Sequence, residues 1–256
     1  MDGVLRGLSG SVFVYLDDIL IASPSLEQHV KDVRTVLARL SQAGLSINKD
    51  KCRFGVDRVD FLGHSVSPDG IKPLPAKVDS LSAFPKPSTR VELQRFLGGI
   101  NFYHRFIPGL ATVLAPLHAL QTSVKAQSAK LTWDKPRTDA FQAAKTALEN
   151  AVQLHHPDSS ALLFLTTDAS DVAVGAVLAQ GEEQCPLGFY SKKLSEAEKK
   201  YSAFDKELLA LYLAIKHYRT TWKDDSSRSG LTTNLFVVHW RVPRNGRPGK
   251  QGTCPL

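Results

Sequence analysis

The chain has 256 residues, 43% of them hydrophobic and 22% charged, which is the balance of a globular protein with room for one or two cored domains. No apolar run approaches a membrane span and no basic-then-apolar leader opens the chain, so the expectation is an intracellular protein (cytoplasm or nucleus) with no membrane partner. The three cysteines, Cys52, Cys185 and Cys254, are scattered and odd in number, which excludes a disulfide framework or zinc site, and the net charge of +7 favours an acidic partner, although +4 of it falls after Thr221.

In chain order, the first readable stretch is "FVYLDDILIAS", Phe13 to Ser23. β-prone residues flank Asp17 and Asp18, which predicts a hairpin over 11–22 with its turn at Leu16–Asp18. Ser25 with Gln28 resembles a capping box, and Leu26, Val30, Val33, Leu37 and Leu40 give the apolar stripe of a helix stopped by Gly44. A strand over Val59–Val66 and a turn at Pro68-Asp69-Gly70 follow, and then Pro73, Pro75, Pro85 and Pro87 punctuate short elements. Ser88 is the expected cap of a helix through "RVELQRFLGGINFYHRF", ended by Pro108-Gly109. Residues 121–130 read as a polar loop, and Pro136 opens a helix to Asn150 with Phe141, Ala144 and Leu148 inward.

"HHPDSS" at 155–160 marks a change of character. "ALLFLTTDAS", "VAVGAVLAQ" and "PLGFYS" read as three strands. A long helix is then predicted from a Ser195–Glu198 capping box, with Ala197, Tyr201, Phe204, Leu208, Leu211, Ile215 and Tyr218 as its buried stripe. Strand-strand-strand-helix implies an α+β or α/β domain with a mixed sheet. After Thr221 regularity fails: "LFVVHW" reads as a strand with nothing to pair, and "RVPRNGRPGKQGTCPL" holds too little apolar content to fold.

Two readings of Asp17 and Asp18 stand on physics alone. Aspartate favours turns through its local hydrogen bonds. A divalent cation is the other reason to cluster like charges on an otherwise apolar hairpin, since Mg²⁺ takes carboxylate oxygens together with substrate phosphates. Glu207 lies three residues after Phe204 and four before Leu211, at the border of the expected stripe. Spacing leaves open whether it is aimed at the sheet end or solvated and paired with Lys206 or Lys199. His155, His156 and His217 lack any surrounding ligand spacing and read as ordinary histidines.

"YLDD" within "FVYLDDILIAS" resembles the YxDD box of reverse transcriptases, in the form used by gypsy-class LTR retrotransposons. The resemblance continues through "HVKDVRTVLARLSQAGLSINKDKCRFGVDRVDFLGHSVSPDGIKPLPAKVDSL", "RFLGGINFYHRFIPGLATVLAPLHAL", "LTWDKPRTDAFQAAKTAL", "TTDASDVAVGAVLAQ" and "YSAFDKELLALYLAIKHYR", roughly residues 1–220. It implies an α+β chain: the end of a polymerase palm with a primer-grip-like hairpin over 1–73, a thumb and connection over 74–157, and an incomplete RNase H-like α/β domain over 158–220. Asp17 and Asp18 match polymerase metal ligands, and Asp168 and Glu207 match the first two nuclease carboxylates. Tyr15, Phe61, Leu62, Gly63 and His64 match positions that touch nucleic acid. Mg²⁺ or Mn²⁺ is the implied cofactor, and an RNA–DNA hybrid or a DNA duplex with a primer end is the implied partner.

Two departures from the family pattern shape the expectation. The third polymerase carboxylate and the fingers lie upstream of the YxDD box in the family, so this chain is expected to lack polymerase activity. The family also continues past the last helix into a strand ending Thr-Asp-His-Lys-Pro-Leu, where this chain reads "TTWKDDSSRSGLTTNL". Trp222 is encoded by TGG and Lys223 by AAA or AAG, so the frame starting at each third base reads glutamate at their junction. The neighbouring junctions permit the rest of the family strand. Residues 221–256 are therefore expected to be a frameshifted, disordered tail that leaves Leu162–Leu165 as an open apolar edge, with no ribonuclease activity. The alternative is a co-opted, non-catalytic nucleic-acid-binding protein.

Overall fold

The computed structural model describes residues 2–5, 12–123, 126, 130–158, 160–226 and 237–240. They fall into two compact units, Met1–Leu62 and Gly63–Leu256.

In the first unit, β1 (Val12–Tyr15) and β2 (Asp18–Ile21) form an antiparallel hairpin in register from Val12↔Ile21 to Tyr15↔Asp18. Alternation puts Val12, Val14, Ile19 and Ile21 on one face. They pack on Val36 and Leu40 of α2 (Leu26–Gln42) and on Val4 and Leu5 of α1 (Asp2–Leu5). Ser25 caps α2 by accepting from the Gln28 amide, while the Gln28 side chain turns to Asp32 instead of closing the box. Gly44, at φ 71, ends the helix: its amide bonds the Ser41 carbonyl and the Leu45 amide bonds the Leu40 carbonyl, the paired bonds of a Schellman stop. Only part of the predicted stripe is used. Leu26 is 74% exposed and Val30 is exposed too, because the four-residue strands cover only the C-terminal half of α2; Leu37, beside the buried Val36, points away from the strands. β3 (Val59–Phe61) closes this unit. The strand predicted over Val59–Val66 is broken in two because Leu62 (φ 48) and Gly63 (φ 78) are both left-handed.

The second unit opens with the hairpin of β4 (His64–Ser67) and β5 (Gly70–Pro73). Four helices follow: α3 (Pro75–Ser82), α4 (Arg90–Phe102), α5 (Leu110–Ser123) and α6 (Lys135–Glu149). Thr89, rather than the predicted Ser88, caps α4; Ser88 assists by donating its amide and hydroxyl to the Glu92 carboxylate. Leu93, Phe96, Leu97 and Ile100 interlock with Leu110, Leu114, Leu117 and Leu120 and with Phe141, Ala144 and Leu148, as the helical periodicity of each segment requires. Leu154 joins this core and bridges β5 by two backbone bonds with Ile71. Gly70 sits beneath that bridge at φ 136, and a Cβ there would run into the Leu154 carbonyl. Gly70→Ala is therefore expected to cost about 1–3 kcal/mol in backbone strain alone, and more from the collision; a urea unfolding midpoint equal to wild type would refute this.

The rest of the unit is a four-stranded sheet in the order β8-β7-β6-β9 with one long helix upon it. β6 (Leu163–Ala169), β7 (Ala173–Gln180) and β8 (Cys185–Lys193) are antiparallel. β9 (Val237–Trp240) pairs parallel with β6, from Phe164↔Val237 to Thr167↔Trp240. This corrects the expectation of an unpaired strand and an open β6 edge. The segment "VVHW" is β-branched and aromatic enough to complete the sheet whatever its coding history. Residues 221–226 likewise continue α7 (Ala203–Ser226), while the tail predicted over 227–236 and 241–256 lies outside the described residues.

α7 begins later than predicted. The Ser195–Glu198 box does form, but it caps only a single 3₁₀ turn, Glu198–Lys200, and Ser202 caps the α-helix through the Asp205 amide. The buried face also differs. Glu207, Ala210, Ala214 and Tyr218 face the sheet against Leu165, Val174, Leu178 and Leu187, whereas Tyr201, Phe204, Leu208 and Ile215 are exposed. Small alanines let the helix sit close to the strands, and a stripe chosen by side-chain size points away from that contact. Tyr218 reaches over them to donate its hydroxyl to the Gly188 carbonyl, and burial pushes its phenol well above the usual tyrosine range.

Candidate functional site

The structure brings the predicted residues together in two carboxylate pairs and one turn. Asp17 and Asp18 are exposed at the tip of the β1–β2 hairpin. The first residue of the two-residue turn, Leu16, has φ 51, a left-handed conformation that a bulky side chain adopts at a cost. Strain of this kind persists where the surroundings enforce it, and here it projects two adjacent carboxylates and the exposed Tyr15 from one tight turn.

Asp168 and Glu207 meet at the end of the sheet in the second unit. Asp168 is the exposed penultimate residue of β6, and Glu207 is a buried residue in the second turn of α7, facing the sheet. Glu207 is only 3% exposed, and neither carboxylate oxygen has a hydrogen-bond partner. Burial first, and the charge of Asp168 second, push its carboxyl above the usual range; the nearby Ala169 amide offsets part of this without reaching bonding geometry. The two lysines that could have solvated Glu207 are engaged elsewhere: Lys206 bonds Asp171 at 2.6 Å and Lys199 bonds Glu196 at 2.6 Å. A buried, unpartnered carboxylate beside a second carboxylate is costly in isolation, and its donor set suits a hard divalent cation. Among the described residues, no group of three His, Cys, Asp or Glu side chains is gathered for a metal ion.

The Phe61–His64 turn is divided between the units. Phe61 and Leu62 end the first. In the second, Gly63 accepts a 2.9 Å hydrogen bond from the Tyr103 hydroxyl, and the His64 ring stacks on Phe102 at 5.2 Å with Tyr103 and Phe106 around it. A side chain at Gly63 would press on the Phe102 ring, so the bare backbone is what lets this aromatic cluster hold the turn.

Sequence reasoning overlooked Asp171, and it considered Lys206 only as a partner for Glu207. The signal was available in "DASD", an acid three residues past Asp168, and in the lysine directly before Glu207. It also overlooked a cleft of about 300 Å³ between α5 and β8, lined by Asn101, His104, His118, Tyr190, Ser191 and Lys193, which shares no residue with either carboxylate pair. Burial, with Lys193 adding to it, pushes the His118 imidazole down.

Residues 1–66 match the family described as reverse transcriptase (RNA-dependent DNA polymerase), and residues 133–226 match the RNase H-like domain found in reverse transcriptase. The Tf2-3 and Tf2-4 transposon polyproteins of Schizosaccharomyces pombe are each 40% identical over 211 residues, 81% of this chain; the chain spans 16% of their length. Among solved structures, a foamy viral protease-reverse transcriptase with an RNA/DNA hybrid matches 100% of this chain and 39% of its own, at TM-score 0.80 and 20% identity. Another, with double-stranded DNA, matches 93% of this chain and 40% of its own, at TM-score 0.77 and 23% identity. A described helix long and apolar enough to cross a membrane is absent. With both family domains in chain order and the retrotransposon identity across most of its length, the chain belongs to the reverse transcriptase–RNase H region of gypsy-class retrotransposon polyproteins.

Proposed function

We propose that this segment supplies carboxylates to two divalent-metal centres of a retrotransposon replication enzyme. Asp17 and Asp18 serve RNA-directed DNA synthesis, and Asp168 and Glu207 serve hydrolysis of the RNA strand of an RNA–DNA hybrid. The observation that carries the reading is the buried Glu207 carboxylate with no partner, held beside Asp168. Like charges are brought together there at a cost that Mg²⁺ or Mn²⁺ would remove. When bound, such cations activate the attacking oxygen and steady the leaving group in phosphoryl chemistry. The protein's own part is to keep the two oxygens free of competing donors and to fix them on a strand end and a helix face, both rigid elements. The Phe61–His64 turn, with its aromatic anchor, is the proposed contact for the primer end. An RNA–DNA hybrid or DNA duplex as partner is supported by the foamy viral structures, which hold those nucleic acids on the same fold.

The metal centre at the sheet end is tested by Mn²⁺ titration followed by electron paramagnetic resonance. Asp168→Asn and Glu207→Gln are each expected to weaken binding by at least the roughly 10- to 100-fold that even outer-shell partners cost. Affinity unchanged by both substitutions would overturn the assignment.

A further inference from the structure

Lys206 is buried yet charged, and it directly precedes Glu207 on α7. Its ammonium bonds Asp171 Oδ1 at 2.6 Å, with the lysine side chain 9% exposed and the aspartate 95% exposed. The pair is half buried, with only the aspartate in water, and its interest lies in what it joins.

Asp171 belongs to the turn that leaves β6 three residues after Asp168. That turn is made stiff by one side chain. The Ser170 hydroxyl accepts from the Val172 and Ala173 amides and donates to the Ala173 carbonyl, while the Ser170 amide bonds the same carbonyl at 2.9 Å. On the sheet side, the Leu194 amide holds the Val172 carbonyl at 2.9 Å. On the helix side, the Lys206–Asp171 pair is the link. A closed circuit therefore runs from Asp168 through the Ser170 turn to Asp171, across the ion pair to Lys206, and along one peptide to Glu207. Asp168 and Glu207 repel one another, and the hydrophobic contacts of α7 with the sheet begin at Leu209 and Ala210, just past Glu207.

We infer that Lys206 and Asp171 form a positioning clamp that sets the separation of Asp168 and Glu207 and holds them ready for a divalent cation. This rests on the metal-site reading above. Neither residue needs to touch the metal or the nucleic acid; the clamp acts through the geometry of the two carboxylates, as outer-shell partners do.

The test uses the full chain with Lys206→Met, Asp171→Asn, the double variant and Lys206→Arg, read by Mn²⁺ affinity and by amide hydrogen exchange at residues 170–173. Each single variant is expected to lower Mn²⁺ affinity on the order of 10- to 100-fold and to speed exchange in the turn. The double variant should be no worse than the poorer single, and Lys206→Arg should recover most of the affinity, which a purely structural role for the stem would not require. Asp171→Asn changes an exposed group, so it stays informative if Lys206→Met fails to fold. Unchanged affinity in Asp171→Asn, additive losses in the double variant, or unaltered exchange would each overturn the clamp. If the wild-type chain binds no Mn²⁺, the metal reading fails, and exchange at residues 170–173 alone decides whether the clamp stands.

Discussion

A chain ending at residue 236 is expected to lose several degrees of melting temperature and to self-associate, because Val237–Trp240 is what covers the outer edge of β6. β6 is central to the domain: Leu165 and Thr167 are buried, Asp168 lies next to the strand's end, and α7 packs across it. Removing β9 leaves those amides and carbonyls of Phe164–Thr167 that do not pair with β7 facing water along one side of an apolar, β-prone strand. Such an edge is a template for pairing with a second chain. At about 1 kcal/mol net for each ladder hydrogen bond, the loss is on the order of a few kcal/mol, large against the 5–15 kcal/mol that typically holds a domain together. Urea unfolding with light scattering checks both halves of the expectation. A monodisperse truncation with the full-length midpoint would show that β9 contributes nothing to the sheet.

Glu207→Gln is expected to stabilise the metal-free protein at pH 7 while abolishing its response to Mn²⁺. The Glu207 carboxyl is raised above its ordinary 4.5 by burial and by Asp168, so the folded state keeps this proton to higher pH than the unfolded chain does. A raised group of this kind contributes stability that is complete below the unfolded value, near pH 4.5, and is lost as pH rises through the folded value. Wild type should therefore lose stability relative to Glu207→Gln as pH climbs from 4.5 toward neutrality, and the two should converge in acid. At pH 7 the difference is expected to be about 1–3 kcal/mol, the usual penalty for a buried group without a partner. Mn²⁺ should then raise the melting temperature of wild type alone, by mass action on the folded state. Melting curves recorded from pH 4 to 8 with and without Mn²⁺ decide the matter; parallel pH dependence in the two proteins would contradict the buried-charge account.

Sequence by itself determined the elements whose signals are local. The β1–β2 hairpin followed from β-prone runs around two acids, the Gly44 stop from a residue able to take positive φ, and the α6 face from Phe141, Ala144 and Leu148 at helical spacing. The family was legible because its motifs recur in order over roughly 220 residues. The positions of Asp17, Asp18, Asp168 and Glu207 came from the same comparison of motifs, not from spacing.

What only the tertiary structure decided depends on contacts between distant segments. Periodicity chose the large residues Phe204, Leu208 and Ile215 for the core, yet the sheet accepts the alanines at 210 and 214 because close approach there is set by the strands, which lie far away in the chain. "LFVVHW" carried no hint of its partner, since a parallel neighbour can lie any distance away in sequence. Glu207 was balanced between solvent and site until Lys206 and Lys199 were seen bonded elsewhere, to Asp171 and Glu196. Burial and unmet hydrogen bonds are properties of the folded surroundings, and it is those that set Glu207 apart from an ordinary helix-surface glutamate.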